Sequence, residues 1–79
     1  MSHTILLFGI TKDIIGGSVH ETGNAFTTVG ELRRHLYNIY PQLEKLNSLM
    51  IAVNNNYAND DDRLQSSDEI ALIPPVSGG

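Results

Sequence analysis

The chain contains no cysteine. A disulfide scaffold, a thiolate zinc site, an iron–sulfur cluster and a cysteine nucleophile are therefore excluded. Basic residues are also scarce. Five Lys and Arg stand against nine Asp and Glu, for a formal net charge of −4 with histidine neutral. That balance argues against a nucleic-acid surface and for a protein partner that offers basic or apolar ground. No apolar run approaches the roughly 20 residues of a membrane-spanning helix. Met1-Ser2-His3-Thr4 lacks the basic segment that opens a secretory signal, so a cytoplasmic location is expected. Seventy-nine residues make one domain with a thin core, and a deep enclosed active site is not expected. At 41% hydrophobic residues the chain should nevertheless fold.

What is present reads as strands around one helix. Thr4-Ile5-Leu6-Leu7-Phe8-Gly9-Ile10 has no helical gap and predicts a strand buried on both faces. Thr11 to Ile15 forms a turn or a short helical segment before Gly16-Gly17. Ser18-Val19-His20-Glu21 alternates and is expected to pair back on the first strand. Ala25-Phe26-Thr27 can resume that strand after a loop at Thr22-Gly23-Asn24. Thr28-Val29-Gly30-Glu31 fits a capping box, and Val29, Leu32, Leu36, Ile39 and Leu43 then form one helical stripe. Arg33, Arg34 and Asn38 fall on its wet side. Pro41 should end this helix at Tyr40 and begin a second short turn.

Leu49 to Val53 predicts another strand, Asn54-Asn55-Asn56 a turn, and Tyr57-Ala58 a short edge piece. Asn59-Asp60-Asp61-Asp62 is a polar loop with Leu64 tucked beneath it. Glu69 to Ile73 is the last strand. Its alternation sets Ile70 and Leu72 on one face and Ala71 and Ile73 on the other. One face must pack on the helix, and the other remains as an apolar patch for docking. The order predicts an α+β fold, a β-grasp or ubiquitin-like roll with a mixed sheet of four to five strands on one main helix. Residues 1–75 form the domain and 76–79 a flexible tail.

The C-terminus carries the chemistry. The last strand runs into Pro74-Pro75, which stiffens the exit, and the sequence closes with Val76-Ser77-Gly78-Gly79. Two glycines carry no side chain to block a narrow channel, and the Gly79 carboxylate is unhindered. Such a tail can enter another protein's active site and present its carboxyl group for activation. The plain alternative is an inert end.

The stretch from Asp68 to Gly79, with its acidic turn, alternating strand, Pro-Pro-Val and terminal Gly-Gly, resembles the small subunit of molybdopterin synthase. Thr28-Val29-Gly30-Glu31-Leu32 and Met50-Ile51-Ala52-Val53-Asn54 agree with that family as well. The likeness is looser from Gly9 to Gly23, and Ser67 stands where many members have glycine. The resemblance implies a sulfur carrier that is not an enzyme by itself. An ATP-dependent activating enzyme adenylylates Gly79, sulfur displaces AMP, and a thiocarboxylate results. The tail enters the large catalytic subunit, and sulfur passes to cyclic pyranopterin monophosphate for the molybdenum cofactor. Gly79 then bears the sulfur and Gly78 gives the tail access. Ile73, Pro74, Pro75, Val76 and Ser77 bind the partner. No bound cofactor or metal is implied, and the working form is a hetero-oligomer. Two rival readings are a carrier for thiamin thiazole, tungsten cofactor or tRNA thiolation, and a ubiquitin-like protein modifier.

Other polar groups carry less. His3, His20 and His35 match no ligand spacing and are expected to be solvated or half-buried structural residues. Asp60-Asp61-Asp62 lacks the alternate ligands and distant Glu of an EF-hand.

Overall fold

Thr28 starts the main helix by the predicted local chemistry. Its hydroxyl accepts from the Glu31 N–H at 3.2 Å. The Glu31 carboxylate in turn accepts from the N–H groups of Thr28, at 3.3 Å, and Thr27, at 2.8 Å. A cap of this kind contributes about 1 kcal/mol. The helix closes at Tyr40, whose φ of −130° and ψ of 77° leave helical geometry just before Pro41. The computed structural model describes residues 3–46 and 49–74. In chain order the elements are β1 (Thr4–Leu7), α1 (Ile10–Ile15), β2 (Val19–Glu21), α2 (Val29–Ile39), α3 (Pro41–Glu44), β3 (Met50–Val53), β4 (Asn56–Tyr57) and β5 (Ile70–Ile73).

The strands form one mixed sheet in the order β2-β1-β5-β3-β4. β5, last in sequence, lies between β1 and β3, parallel to β1 and antiparallel to β3. A parallel pair needs a long crossover, and the stretch containing α2 supplies it. Asn54 and Asn55 join β3 to β4 with φ values of 53° and 71°. Two left-handed residues in a two-residue loop match the twist of a tight hairpin, and asparagine tolerates that geometry. With its five-stranded mixed sheet and main helix, the fold is the expected α+β β-grasp roll.

Register divides the sheet into two faces. His20, Ile5, Ile70, Val53 and Asn56 lie side by side across the five strands and face the helices. Leu7, Leu72 and Ile51 form the next row of that face, and Val29, Leu32, Leu36 and Leu43 close over it. Leu64 is buried beneath its loop, as expected. The opposite row is Val19, Leu6, Ala71, Ala52 and Tyr57. No described helix covers it. Among the described residues no helix is long and apolar enough to cross a membrane.

Several expectations change. β1 is buried on one face only, because helices pack on one side of the sheet. It ends at Leu7, and Phe8 beyond it is 45% exposed. Residues 25–27 do not resume a strand; the Thr27 carbonyl instead accepts from the Leu64 N–H at 2.8 Å. Ile39 is exposed, since the chain departs from helical geometry one residue later and Leu43 enters the core from α3. Arg33 is half-buried rather than solvated. Its guanidinium donates to Asp60 at 2.9 Å, to the Tyr37 hydroxyl at 3.2 Å and to the Leu49 carbonyl at 3.1 Å.

His3 is 1% exposed, contrary to the solvated or half-buried state expected. Its Nε2 accepts from the Phe26 N–H at 2.9 Å, which places the ring hydrogen on Nδ1. Phe26 stands between the rings of His3 and His35, at 6.2 and 4.8 Å between centroids. His20 meets the Tyr40 ring edge-on at 5.7 Å. Burial, and then the like charge of His35, push the His20 pKa below 6.5 against an opposing pull from Glu21.

Two expected outcomes follow from this packing. A depressed histidine pKa means that the unfolded chain takes up the proton first. Stability is then fully present above pH 6.5 and falls as pH drops through the lowered folded-state value. Urea midpoints should decline as pH falls from about 6.5 to about 5, and His20→Phe should flatten that decline. An unchanged slope in His20→Phe contradicts the assignment. The two faces should also differ in tolerance. Leu72→Ala should cost about 2–5 kcal/mol, while Tyr57→Thr should stay within about 0.5 kcal/mol in the same urea titration.

Candidate functional site

β5 positions the root of the tail. Ile73 pairs with Met50 across the sheet and lies on the uncovered face. Pro74 follows, half-buried, and packs at Gly9, where a Cβ would stand 2.9 Å from the proline Cγ. Of the residues that the sequence assigns to the site, Ile73 and Pro74 are thus placed at one end of the central strand. Pro75, Val76, Ser77, Gly78 and Gly79 lie outside the described residues.

The start of β5 is fastened as firmly as its end. The Asn54 N–H donates to the Glu69 carbonyl at 2.8 Å, and the Glu69 N–H donates to the Asn54 side-chain oxygen at 2.9 Å. The Asn54 amide also donates to Asp68 at 3.0 Å. The Gln65 N–H, and then the Asn54 side chain, hold the Asp68 carboxyl below the usual carboxylate range. Asn54 is therefore both a turn residue and a clamp on the entry to β5. Ser67 adopts no positive φ, so the turn does not require the glycine common in the resembling family.

The uncovered face is concave. Ala71 and Ala52 occupy the middle of the row, where small side chains leave a shallow depression of about 360 Å³. Leu6 and Phe8 line it from one side and Tyr57 from the other, with Ile73, Asn55 and Glu69 completing it. Phe8, Met50 and Tyr57 are exposed apolar side chains on or beside this surface, at 45%, 38% and 69%. The sequence shows the alternation in β5 but leaves open which face packs on the helices. Burial of Ile70 and Leu72 settles it: Ala71 and Ile73 face outward. Leu6, Ala52 and Tyr57 join them only through strand pairing, which no single segment reveals.

Asp60 and Asp62, in the acidic loop, are engaged in structure. Asp60 receives the Arg33 guanidinium, and Asp62 accepts from the Asn59 N–H at 2.8 Å. Among the described residues no group of three or more histidines and carboxylates is placed to hold a metal ion.

Comparison with known proteins places this geometry. The model of the ThiS family matches residues 5–79. The molybdopterin synthase sulfur carrier subunit of Caenorhabditis briggsae is 42% identical over 84 residues, covering 100% of this chain and 99% of that protein. The crystal structure of SAMP1 from Haloferax volcanii matches with a TM-score of 0.81 at 26% identity, covering 100% of both chains. A chain in the complex of subunits 1 and 2 of the molybdopterin-converting factor from Helicobacter pylori matches with a TM-score of 0.69 at 29% identity, again covering 100% of both. The family match spans nearly the whole sequence, and the ubiquitin-like fold agrees with it: the chain belongs to the ThiS family.

Proposed function

We propose that this chain is the sulfur carrier subunit of a molybdopterin synthase and carries sulfur as a thiocarboxylate on Gly79. The observation that carries the reading is its full-length relationship to molybdopterin synthase sulfur carrier subunits, joined to a Gly78-Gly79 ending directly beyond the central strand. A carboxylate is a poor electrophile. Adenylylation by an ATP-dependent activating enzyme joins Gly79 to AMP and releases pyrophosphate. A sulfur nucleophile then attacks the carbonyl carbon, AMP departs with one oxygen, and the thiocarboxylate remains. That group is anionic and sulfur-centred, so it is the nucleophile toward cyclic pyranopterin monophosphate. The chain needs neither a metal nor a bound cofactor for this role, since ATP is consumed by the activating partner.

The subunit is not an enzyme by itself in this reading. The large synthase subunit encloses the tail and orients the sulfur. The relation to a subunit of the Helicobacter pylori complex supports such a partner. The concave apolar row on the outer sheet face is the docking surface, with Ile73 and Pro74 at the channel mouth. Five residues follow Pro74, and a fully extended chain spans about 3.5 Å per residue. The acceptor must therefore bind within about 17 Å of Pro74.

The likeness to SAMP1, a small archaeal modifier protein, favours a second reading in which Gly79 is joined to lysines of target proteins. Intact mass separates the two. After incubation with activating enzyme, ATP and a sulfur donor, the carrier reading predicts replacement of one oxygen by sulfur, and no replacement once Gly79 is deleted. Release of AMP without sulfur gain, together with Gly79-dependent bands of higher mass, supports the modifier. No activation at all contradicts both.

A further inference from the structure

Gly9 stands where β1 breaks off and α1 begins. Its backbone sits at φ 56° and ψ −135°, a setting that side chains resist. A Cβ at this position would lie 2.9 Å from Cγ of Pro74, well inside the separation of about 3.5 Å at which carbon atoms pack. The parallel register accounts for this meeting. Leu7 pairs with Leu72, and the same offset continued two residues further sets Gly9 beside Pro74.

The turn that carries Gly9 is held firmly. Thr11 is fully buried; its hydroxyl accepts from the Phe8 N–H at 2.9 Å and donates to the Phe8 carbonyl. The Lys12 N–H donates to the Gly9 carbonyl at 3.1 Å. Phe8 is thereby withdrawn from the ladder, so β1 ends at Leu7 while β5 continues to Ile73. The proline ring lies against a fixed stretch of backbone, and its own locked φ leaves it few alternative placements.

We infer that Gly9 is a positioning residue for sulfur loading and transfer: by offering no Cβ, it seats the Pro74 ring against the β1–α1 turn and fixes the point from which residues 75–79 start. The inference rests on the carrier reading. A displaced Pro74 shifts the origin of the segment that carries the reacting carboxyl group, and a misplacement of about 1 Å can cost on the order of 100-fold in rate. Phe8 and Ile73, the chain neighbours of Gly9 and Pro74, line the outer apolar row, so docking is followed separately from the chemical step.

A double-mutant cycle tests this. The unsubstituted chain, Gly9→Ala, Pro74→Ala and the double variant are loaded by the activating enzyme with ATP and a sulfur donor. Intact mass gives kcat and KM for thiocarboxylate formation, with thermal melts recorded alongside. Gly9→Ala should lower kcat at least about tenfold, with any change in KM smaller than the change in kcat. In the Pro74→Ala background the same substitution should change kcat by less than about twofold, because the ring it displaces is gone. Equal losses in both backgrounds, or no loss in either, overturn the inference. If Gly9→Ala does not fold, the double variant decides. Folding and loading like Pro74→Ala uphold the seat. Failure of the double variant to fold shows that glycine serves the backbone angle alone, and overturns it. The carrier reading fails by a different sign, an unsubstituted chain that gains no sulfur, and the inference falls with it.

Discussion

Both the core and the tail depend on the insertion of β5 between β1 and β3. The strand that comes last in sequence is central in space, so the sheet is completed only when the end of the chain is in place. Its inner residues, Ile70 and Leu72, are fully buried. Burial of such side chains contributes about 1.5–3 kcal/mol each, which is a large share of the stability of a domain this small. The same hydrogen-bonded ladder that completes the core therefore anchors Pro74. A tail rooted on an edge strand would move with a fraying element; one rooted on the central strand starts from the most constrained part of the fold.

The inner and outer faces of the sheet are built differently. The inner face meets α2 and α3 with branched aliphatic side chains and accounts for folding. The outer face keeps an apolar row from Val19 to Tyr57, with alanines at its centre. In a chain with a net charge of −4, an apolar concavity beside the tail root is ground on which a partner gains area without opposing charge. Asn54 serves both the β3–β4 turn and the entry to β5. It forms the β3–β4 hairpin on the left-handed side, and its side chain fixes Asp68 and Glu69 at the entry to β5.

Local signals proved legible wherever the deciding interactions are local. The Thr28–Glu31 capping box, the stop before Pro41 and the alternation in β5 each lie within a few residues and appear as expected, while the turn expected over Asn54-Asn55-Asn56 is shorter, with Asn56 already in β4. Nonlocal partners hid the rest. Nothing adjacent to His3 announces that the Phe26 N–H will take its Nε2. Nothing adjacent to Arg33 announces Asp60 or the Leu49 carbonyl. The apolar run at the start of the chain suggested two buried faces, but Leu6 and Phe8 are apolar because of the outer surface. Of the candidate site, Ile73 shares a face with Ala71 as the alternation requires, register and burial decide which face that is, and residues 75–79 fall outside the described part of the chain. The Gly9 seat became visible only with the register between β1 and β5 in hand.

The central claim is that one face of the sheet folds the domain and the other docks it. Methyl-resolved NMR of the carrier titrated with the large synthase subunit tests this most directly. The account predicts shifts and broadening at Leu6, Ala52, Ala71 and Ile73, with Ile39, exposed on α2, unaffected. Perturbation of Ile39 and its helix surface, with the outer row unchanged, would contradict it.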